Sequence, residues 1–476
     1  MPWSNRLRPE AYYSDTGVQA RLAEYCGATT GSEPTARFVV GFNPQAAPYP
    51  TWLAQRRLPT KALSSLWASG WDMSRSLWDA QSLIVAVDLD YQNLDYPGEP
   101  FTHPSDVFFK LENSFTAAQR VLAHLELPAM PVSTGRGYHF VGRVPLDSPV
   151  LARLADLHPV PAWFATHTQR KGPDVAAMPE AQARAAAGLG LLLEHLAHLV
   201  VAEAGRTNLI PLVFNGTTVG SGEVGRECVS IDFSHAGDPL DIRHIRMAFS
   251  TYQWHRIRPD IFGAAVSALP PLAAVPRVTS SLEAFLLAGR DLESVRQIAA
   301  GCHAALPDVS AGVDALISSY VASPLAQLHR EFSTERALLD GVPRRLPEDM
   351  PPCIALCLEQ PNDLLLKPEH LQNLVRLLLA RQWSGAEIAL LVQRKYEEDH
   401  RWGRHWEEVD PRTRADFDVR VFSSLALTGL DRAIDFNCAS SQDKGICPHT
   451  ACTHDLRFDR DQLMTRVAQR NTAGDR

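Results

Sequence analysis

The feature that most constrains the fold of this sequence is an apolar stretch that ends in two closely spaced acids. Residues Leu83–Asp90 read LIVAVDLD, a run of Leu, Ile and Val typical of a buried strand. Side chains two apart on a strand point to the same face, so Asp88 and Asp90 are expected side by side at the strand end. Adjacent carboxylates repel each other unless cations or protons lie between them. The pattern therefore predicts a divalent metal site with oxygen ligands suited to Mg²⁺ or Mn²⁺.

A glycine-flanked turn supplies a second group of polar residues. Residues 133–137 read STGRG and continue into the strand-like sequence YHFV. Gly135 and Gly137 allow close backbone approach and positive φ. The hydrogen-bond donors suited to phosphate oxygens are Ser133, Thr134, Arg136 and His139. Acids for metals together with donors for phosphates indicate nucleotidyl transfer.

A third acid is expected farther along the chain. The stretch Glu227–Phe233, ECVSIDF, is a strand candidate that carries Asp232 near its end. Asp238 and Asp241 are alternatives for the same role, and Asp232 has a purely structural interpretation as a strand-end turn residue. A segment with two arginines follows and ends in a serine: Arg243-His-Ile-Arg246-Met-Ala-Phe-Ser250.

These three segments resemble the three motifs of the archaeo-eukaryotic primase superfamily. The resemblance implies an α+β catalytic domain of the primase type in which Asp88, Asp90 and Asp232 bind the catalytic Mg²⁺ or Mn²⁺. It also implies that the incoming nucleotide is bound by Ser133, Arg136, Gly137, His139, Arg243 and Arg246. The sequence departs from the family in one spacing, because Asp232 lies farther from the arginine pair than the metal-binding acid of the family does.

Cysteines are dense in the last third of the chain. Of the eight cysteines, five lie there: Cys353, Cys357, Cys438, Cys447 and Cys452. Disulfides are not expected in a cytoplasmic chain of this size, so the late group indicates a metal site. Four thiolates suit an iron–sulfur cluster or zinc, and zinc sites favour paired C-x₂₋₄-C spacings, which only Cys447-x₄-Cys452 approaches. Cys228 and Cys302 are interpreted as ordinary thiols.

The order of Pro-Pro-Cys353, two helical segments and three late cysteines resembles the C-terminal domain of the primase large subunit. This resemblance implies a [4Fe–4S] cluster held by Cys353, Cys438, Cys447 and Cys452. Cys357 is a rival fourth ligand, and zinc is the alternative cofactor, with His449 and His454 in reserve. Ser384 and Glu387 predict a capping box at the start of the second helical segment.

Composition restricts the class of partner. The formal net charge of −8 gives no overall basic surface, so nucleic acid would have to meet local patches such as the basic and aromatic stretch 394–406. We find no apolar run of about 18 residues and no signal-peptide core, which predicts a cytoplasmic protein without a membrane partner. The helical residues His195 and His198 are interpreted as polar-face residues rather than ligands.

The 476 residues are enough for two or three domains. We expect a primase-polymerase catalytic domain at 1–262, a helical linker at 263–349, a mainly helical iron–sulfur domain at 350–462 and a tail at 463–476. The function implied is DNA-templated primer synthesis from nucleoside triphosphates on single-stranded DNA, with a helicase or other replication protein as a further partner. The alternatives are a gap-filling or translesion polymerase that only extends primers, and a nucleic-acid-binding module with a vestigial site.

Overall fold

The strand that carries the two acids runs from Ser82 to Asn93 in the computed structural model. It therefore continues beyond Asp90, where the sequence predicts its end. The backbone N–H of Tyr91 donates to the carbonyl oxygen of Arg136 at 3.0 Å, so hydrogen bonding to the neighbouring chain segment extends past the acids. The structure describes residues 7–29, 32–44, 55–161, 163–164, 179–205, 207–220, 226–237, 244–277, 281–339, 341–359, 367–398, 410–448 and 452–474.

The fold is a mixed α+β structure whose C-terminal region is helical, which confirms the predicted α+β class, whereas the primase type of the fold remains a prediction. The strands are β1 Val39–Phe42, β2 Gln55–Leu58, β3 Asp72–Ser76, β4 Ser82–Asn93, β5 Met130–Ser133, β6 Gly137–Pro145, β7 Leu212–Phe214, β8 Glu227–Asp232, β9 His244–Arg246, β10 Thr251–Tyr252, β11 Leu272–Ala273 and β12 Val275–Pro276. The α-helices up to residue 301 are Pro9–Tyr13, Thr16–Tyr25, Leu63–Ala68, Glu99–Thr102, Pro104–His124, Val150–Asp156, Glu180–Ala204, Trp254–Ile257, Pro259–Phe262, Ala264–Ser267, Leu282–Ala288 and Leu292–Gly301. Those after it are Ser310–Val321, Pro324–Leu338, Pro352–Glu359, Pro368–Ala380, Gly385–Tyr396, Pro411–Leu427, Cys438–Asp443 and Leu456–Gly474.

The chain forms two compact units. The first contains residues 1–152, 207–209 and 242–314, and the second contains residues 153–206, 210–241 and 315–476. This division does not coincide with the boundaries predicted at 262/263 and 349/350, because residues 263–314 of the expected linker belong to the first unit. The predicted boundary at 462/463 falls inside the helix Leu456–Gly474. As limits of functional domains, the sequence-based boundaries remain a prediction.

In the first unit, β12, β5, β6 and β4 lie side by side in antiparallel order. Successive side chains of β6 point to opposite faces of the sheet, one toward a helix and the other away from it. Tyr138 and Phe140 pack against Phe115 of the helix Pro104–His124, with ring centroids 4.4 and 5.5 Å apart. His139, between them in sequence, points to the opposite face of the strand. Each aromatic contact contributes about 0.5–1.5 kcal/mol, which keeps Tyr138 and Phe140 on the helix side of β6. His139 is therefore held on the other side.

A second antiparallel sheet of the same unit has the order β2, β1, β3, β9. Its register places Val40 opposite Ser74, and Ser74 opposite Arg246. Val40, Ser74 and Arg246 thus form a row across one face of this sheet, with an apolar side chain at one end and a cationic one at the other.

The second unit is built around the helix Glu180–Ala204. Most of its side chains are buried, including Glu194, His195 and His198. Among the described residues, this is the helix that is long and apolar enough to cross a membrane. In its most apolar 18-residue stretch, 78% is buried inside the structure. The carboxylate of Glu194 accepts hydrogen bonds from His329 at 3.0 Å and Arg420 at 3.1 Å. His195 and His198 are therefore core residues of the helix, not polar-face residues as expected.

The predicted capping box is confirmed. Ser384 Oγ accepts from the backbone N–H of Glu387 at 3.1 Å, and the Glu387 carboxylate accepts from the N–H of Ser384 at 2.8 Å. The helix Gly385–Tyr396 begins at this box.

Candidate functional site

A cavity of about 290 Å³ opens in the first unit, lined by side chains from both of its larger sheets. Its polar lining is Asp88, Asp90, Thr134, Arg136, His139, Ser74, His244 and Arg246, and its apolar lining is Val40, Phe42, Tyr252 and Trp254. The prediction that Asp88 and Asp90 share one face of their strand is confirmed, because both contribute to this cavity. The volume is at the lower end of the range for small-molecule pockets, roughly 300–1,000 Å³.

Each acid has a cationic or imidazole neighbour. In the β4–β6 register Asp88 lies opposite His139, and Asp90 lies opposite Gly137. Arg136 pairs with the Asp90 carboxylate at 2.7 Å, and His139 Nε2 lies 3.6 Å from the Asp88 carboxylate. The Asp88 side chain is 32% exposed and that of Asp90 is 17% exposed, so both remain reachable from the cavity. Carboxylate oxygens that can be reached from a cavity are suitable ligands for a divalent metal ion.

The turn between β5 and β6 holds Arg136 in this position. The N–H of Thr134 donates to the carbonyl oxygen of Gly137 at 2.8 Å and closes the turn. A Cβ on Gly137 would lie 1.8 Å from the carbonyl oxygen of Leu89, and one on Gly135 would lie 2.6 Å from the Tyr252 ring. Close approach is thus the reason for both glycines. Neither glycine has positive φ, the other property that a glycine allows.

Arg246 reaches the cavity from β9 and is fixed from behind by a buried carboxylate. Its Nη1 lies 3.3 Å from Asp72, which is 1% exposed, and its guanidinium lies 4.5 Å from the centre of the Tyr252 ring. Asp72 also accepts from Thr251 Oγ1, from the Gln253 N–H and from Gln253 Nε2 at 2.7–2.9 Å. Burial raises the pKa of Asp72, opposed by the attraction of Arg246 and by these hydrogen bonds. This network orients Arg246 and Tyr252 together.

Not every predicted nucleotide-binding residue lines this cavity. Ser133 lines a smaller neighbouring cavity of about 20 Å³, and its hydroxyl donates to the carbonyl oxygen of Thr134 at 3.1 Å. Gly137 contributes backbone at the β4–β6 contact. Arg243 and the alternative acids Asp238 and Asp241 lie outside the described residues. Ser250 is fully buried and accepts from the N–H of Met73, so it serves the fold.

Asp232 ends β8, which belongs to the second unit and pairs in parallel with β7. Its carboxylate accepts from the backbone N–H of Ser234 at 2.8 Å, which is the bond of a strand-end turn. This bond fits the structural interpretation of Asp232. Its part in a metal site therefore stays a prediction.

The aromatic side of the cavity was missed by sequence reasoning. Phe42 comes from β1, and Tyr252 and Trp254 follow β9 along the chain. The sequence ARFVVGF predicts a strand but gives no sign of the cavity, because pairing between β1, β3 and β9 joins distant parts of the chain. The alternation of Val40 and Phe42 is the only local signal that one face of β1 is apolar.

A second cavity, of about 240 Å³, lies in the second unit. It is lined by all four predicted cluster ligands, Cys353, Cys438, Cys447 and Cys452, together with Pro351, Pro352, Ser441, Gln442, Pro448, His454 and Leu456. Burial raises the pKa of the Cys353 thiol to about 12, and the nearby thiols of Cys447, Cys438 and Cys452 add to the shift. Four cysteine thiols around one cavity match in number and type the donors that an iron–sulfur cluster requires.

The rival ligand Cys357 has a different environment. It is buried one helical turn beyond Cys353, and its Sγ lies 3.8 Å from His370 Nδ1. Cys438 Sγ accepts from the N–H of Leu456 at 3.5 Å, as thiolate ligands often do. The lining of the cavity favours Cys353 over Cys357, and it includes His454, whereas His449 lies outside the described residues.

A buried ion-pair network supports the segment that bears Cys438 and Cys447. Arg376 donates to Asp431 at 2.7 and 2.8 Å and to Asp435 at 3.0 Å, and Lys444 donates to Asp435 at 2.5 Å. Burial alone would raise the pKa of Asp435, but the attraction of Arg376 and Lys444 lowers it to about 2. All four side chains are at most 5% exposed.

Metal-binding capacity rests on the type of donor in both cavities. In the parts of the chain that the structure describes, no group of three or more His, Cys, Asp or Glu side chains already has the geometry of a metal site. The donors nevertheless match the expected groups: the carboxylates of Asp88 and Asp90 suit Mg²⁺ or Mn²⁺, and the thiols suit iron–sulfur or zinc.

The sequence matches no protein-family model, and no curated protein matches it.

Proposed function

We propose that the protein is a metal-dependent nucleotidyltransferase of the archaeo-eukaryotic primase type that synthesises primers on single-stranded DNA. The observation that carries the proposal is the meeting of Asp88, Asp90, Arg136, His139 and Arg246 around one cavity. Two carboxylates for cations and three nitrogen-bearing side chains for phosphates are the groups that phosphoryl transfer needs. The motif resemblance gives the same function from the sequence.

In the proposed reaction the 3′-hydroxyl oxygen of one nucleotide bonds to the α-phosphorus of the next. The bond from that phosphorus to the pyrophosphate oxygen breaks, and the hydroxyl proton passes to solvent. Asp88 and Asp90, with Asp232 as the predicted third acid, would hold Mg²⁺ or Mn²⁺. Bound divalent ions supply positive charge to the attacking and leaving oxygens.

The chain's own cations would bind and orient the triphosphate. Arg136 is paired with Asp90. When a nucleotide binds with its cation, this ion pair would be replaced by two others: Asp90 would pair with the cation, and Arg136 with a phosphate oxygen. His139, held by the aromatic packing on either side of it in β6, would donate to phosphate. Arg246 would act from the opposite wall, where Asp72 limits its movement.

The cysteine-lined cavity would hold a [4Fe–4S] cluster through Cys353, Cys438, Cys447 and Cys452, with zinc as the alternative. By the family resemblance, this part of the protein would help to hold the template and the initiating nucleotide.

Synthesis on an unprimed template tests the proposed function. The protein is incubated with single-stranded DNA, Mg²⁺ or Mn²⁺ and either ribo- or deoxynucleoside triphosphates, one of them labelled. We expect short labelled products without any added primer. Products that form only when a primer is annealed would replace the proposal with an extending polymerase. No product under either condition, with metal-dependent nucleotide binding also absent, would favour a vestigial site.

A further inference from the structure

The cavity of the first unit has an aromatic side that the proposed reaction does not use. Phe42 and Trp254 lie there with ring centroids 5.6 Å apart and planes inclined at 55°. Phosphates and cations have no need of these rings, because the groups suited to them come from β4, β6, β9 and the turn before β6. The aromatic side therefore requires a different part of the ligand or a purely structural explanation.

The three aromatic residues of the lining differ in how much surface they keep open. Phe42 is 8% exposed and Tyr252 is 7% exposed, and the Tyr252 ring is already covered by Arg246 and stacked on Phe101 with a centroid distance of 6.0 Å. Trp254 is only half-buried, although it packs against Phe42 and Ile257 and the Arg258 guanidinium lies 5.7 Å from the centre of its ring. An indole that lines a cavity and keeps part of its ring open is a platform for a flat apolar ligand.

We propose that Trp254, with Phe42 beside it, binds the nucleobase of the incoming nucleoside triphosphate by stacking. This inference rests on the proposed function, since it assigns the base to the same cavity whose acids and cations take the cation and phosphates. Every base has a π-face, so stacking binds all of them without reading their edges. Trp254 thus supplies affinity for nucleotides in general, and the choice of base is left to the template.

Two ligands, one with a base and one without, distinguish binding of the base from binding of the phosphates. Binding of ATP and of inorganic tripolyphosphate, each with Mn²⁺, is measured by calorimetry for the wild type, Trp254→Leu and Trp254→Phe. Because the base loses the aromatic ring on which it stacks, Trp254→Leu is expected to weaken ATP binding by about tenfold. The same variant should bind tripolyphosphate as the wild type does, and Trp254→Phe should retain most of the affinity for ATP.

A matched control is Trp67→Leu, which changes another half-buried tryptophan of the first unit that does not line the cavity. It should bind both ligands normally. Wild-type ATP affinity in Trp254→Leu would overturn the inference, and so would an equal loss of both ligands, because either result removes the specific link to the base. If the wild type bound neither ATP nor tripolyphosphate, the proposed function itself would fail, which is a different result from failure of the stacking site alone.

Discussion

Asp72 illustrates how a residue outside the motifs positions one inside them. Its carboxylate is buried, accepts three hydrogen bonds from Thr251 and Gln253, and lies 3.3 Å from Arg246. Breaking a buried ion pair by removing one partner is costly, because the remaining charge keeps its desolvation penalty. We interpret Asp72 as a positioning residue that holds the Arg246 guanidinium toward the cavity.

Replacement of Asp72 by Asn removes the charge that orients Arg246 and keeps the size of the side chain. Since Asp88 and Asp90 are untouched, we expect the KM for nucleoside triphosphates to rise severalfold, with a smaller change in kcat. Steady-state kinetics and the melting temperature are measured together, and Asp260→Asn, at an exposed acid paired with Arg258, is the control. A folded Asp72→Asn protein with wild-type KM would show that Arg246 does not depend on this carboxylate.

Among the elements, β4, β6 and the capping box could be predicted from the sequence, because each depends on residues close together in the chain. The glycines of the turn were likewise found, although their reason is close approach to Leu89 and Tyr252 and not positive φ. The second wall of the cavity was not predictable, since β1, β3 and β9 pair across long stretches of chain. Nor does any local pattern distinguish the buried acid Asp72 from a surface acid.

The segment between the helices Pro368–Ala380 and Cys438–Asp443 depends on Arg376. Arg376→Met leaves the buried carboxylates of Asp431 and Asp435 without their main partner. We expect a loss of about 3–5 kcal/mol in the free energy of unfolding, measured by urea denaturation. Arg432→Met, at an exposed arginine next to Asp431, serves as the control and should change it by less than about 0.5 kcal/mol. Equal unfolding midpoints for Arg376→Met and the wild type would contradict the role given to this network.

The helix Glu180–Ala204 predicts a pH dependence of stability. Burial lowers the pKa of both His195 and His198 to about 4, from an ordinary value of 6.5. Between these pH values the unfolded chain binds more protons than the folded one, so stability falls as the pH drops from 6.5 towards 4. The pKa of Glu194 is lowered to about 2. Burial alone would raise this pKa, but the attraction of His329 and Arg420 outweighs burial.

His198→Phe removes one of these titrating rings and keeps an aromatic ring against Phe214. The change in urea midpoint between pH 7 and pH 5 should be smaller for this variant than for the wild type. His124→Phe, at an exposed histidine, should leave that change as it is. An identical pH dependence in His198→Phe would mean that protonation of His198 is not linked to unfolding.

At the scale of the whole molecule, two units carry two chemically distinct cavities. One offers carboxylates and cations, and the other offers four thiols. The sequence predicts the chemistry of both cavities, and that chemistry remains a prediction. The two compact units do not follow the predicted domain boundaries, because both units are made of separated stretches of chain. Discontinuous units leave no composition shift or linker for sequence reasoning to find.

The thiol cavity predicts a metal content. Protein purified without oxygen should be brown and contain about four iron atoms per chain, measured by visible absorption and metal analysis. Cys353→Ser should lower the iron content, whereas Cys357→Ser, one helical turn away and facing His370, should keep it. A colourless sample that contains zinc would contradict the cluster and support the alternative cofactor.

The proposed function assigns nucleotidyl transfer to Asp88 and Asp90. Its most direct test is the transfer of a labelled nucleotide to a 3′-hydroxyl in the presence of Mn²⁺, compared between the wild type, Asp88→Asn, Asp90→Asn and the exposed control Asp95→Asn. We expect transfer by the wild type and the control and a loss of at least about 10³-fold in Asp88→Asn and Asp90→Asn, because each substitution removes a metal ligand. Undiminished transfer in either of these two folded variants would contradict it.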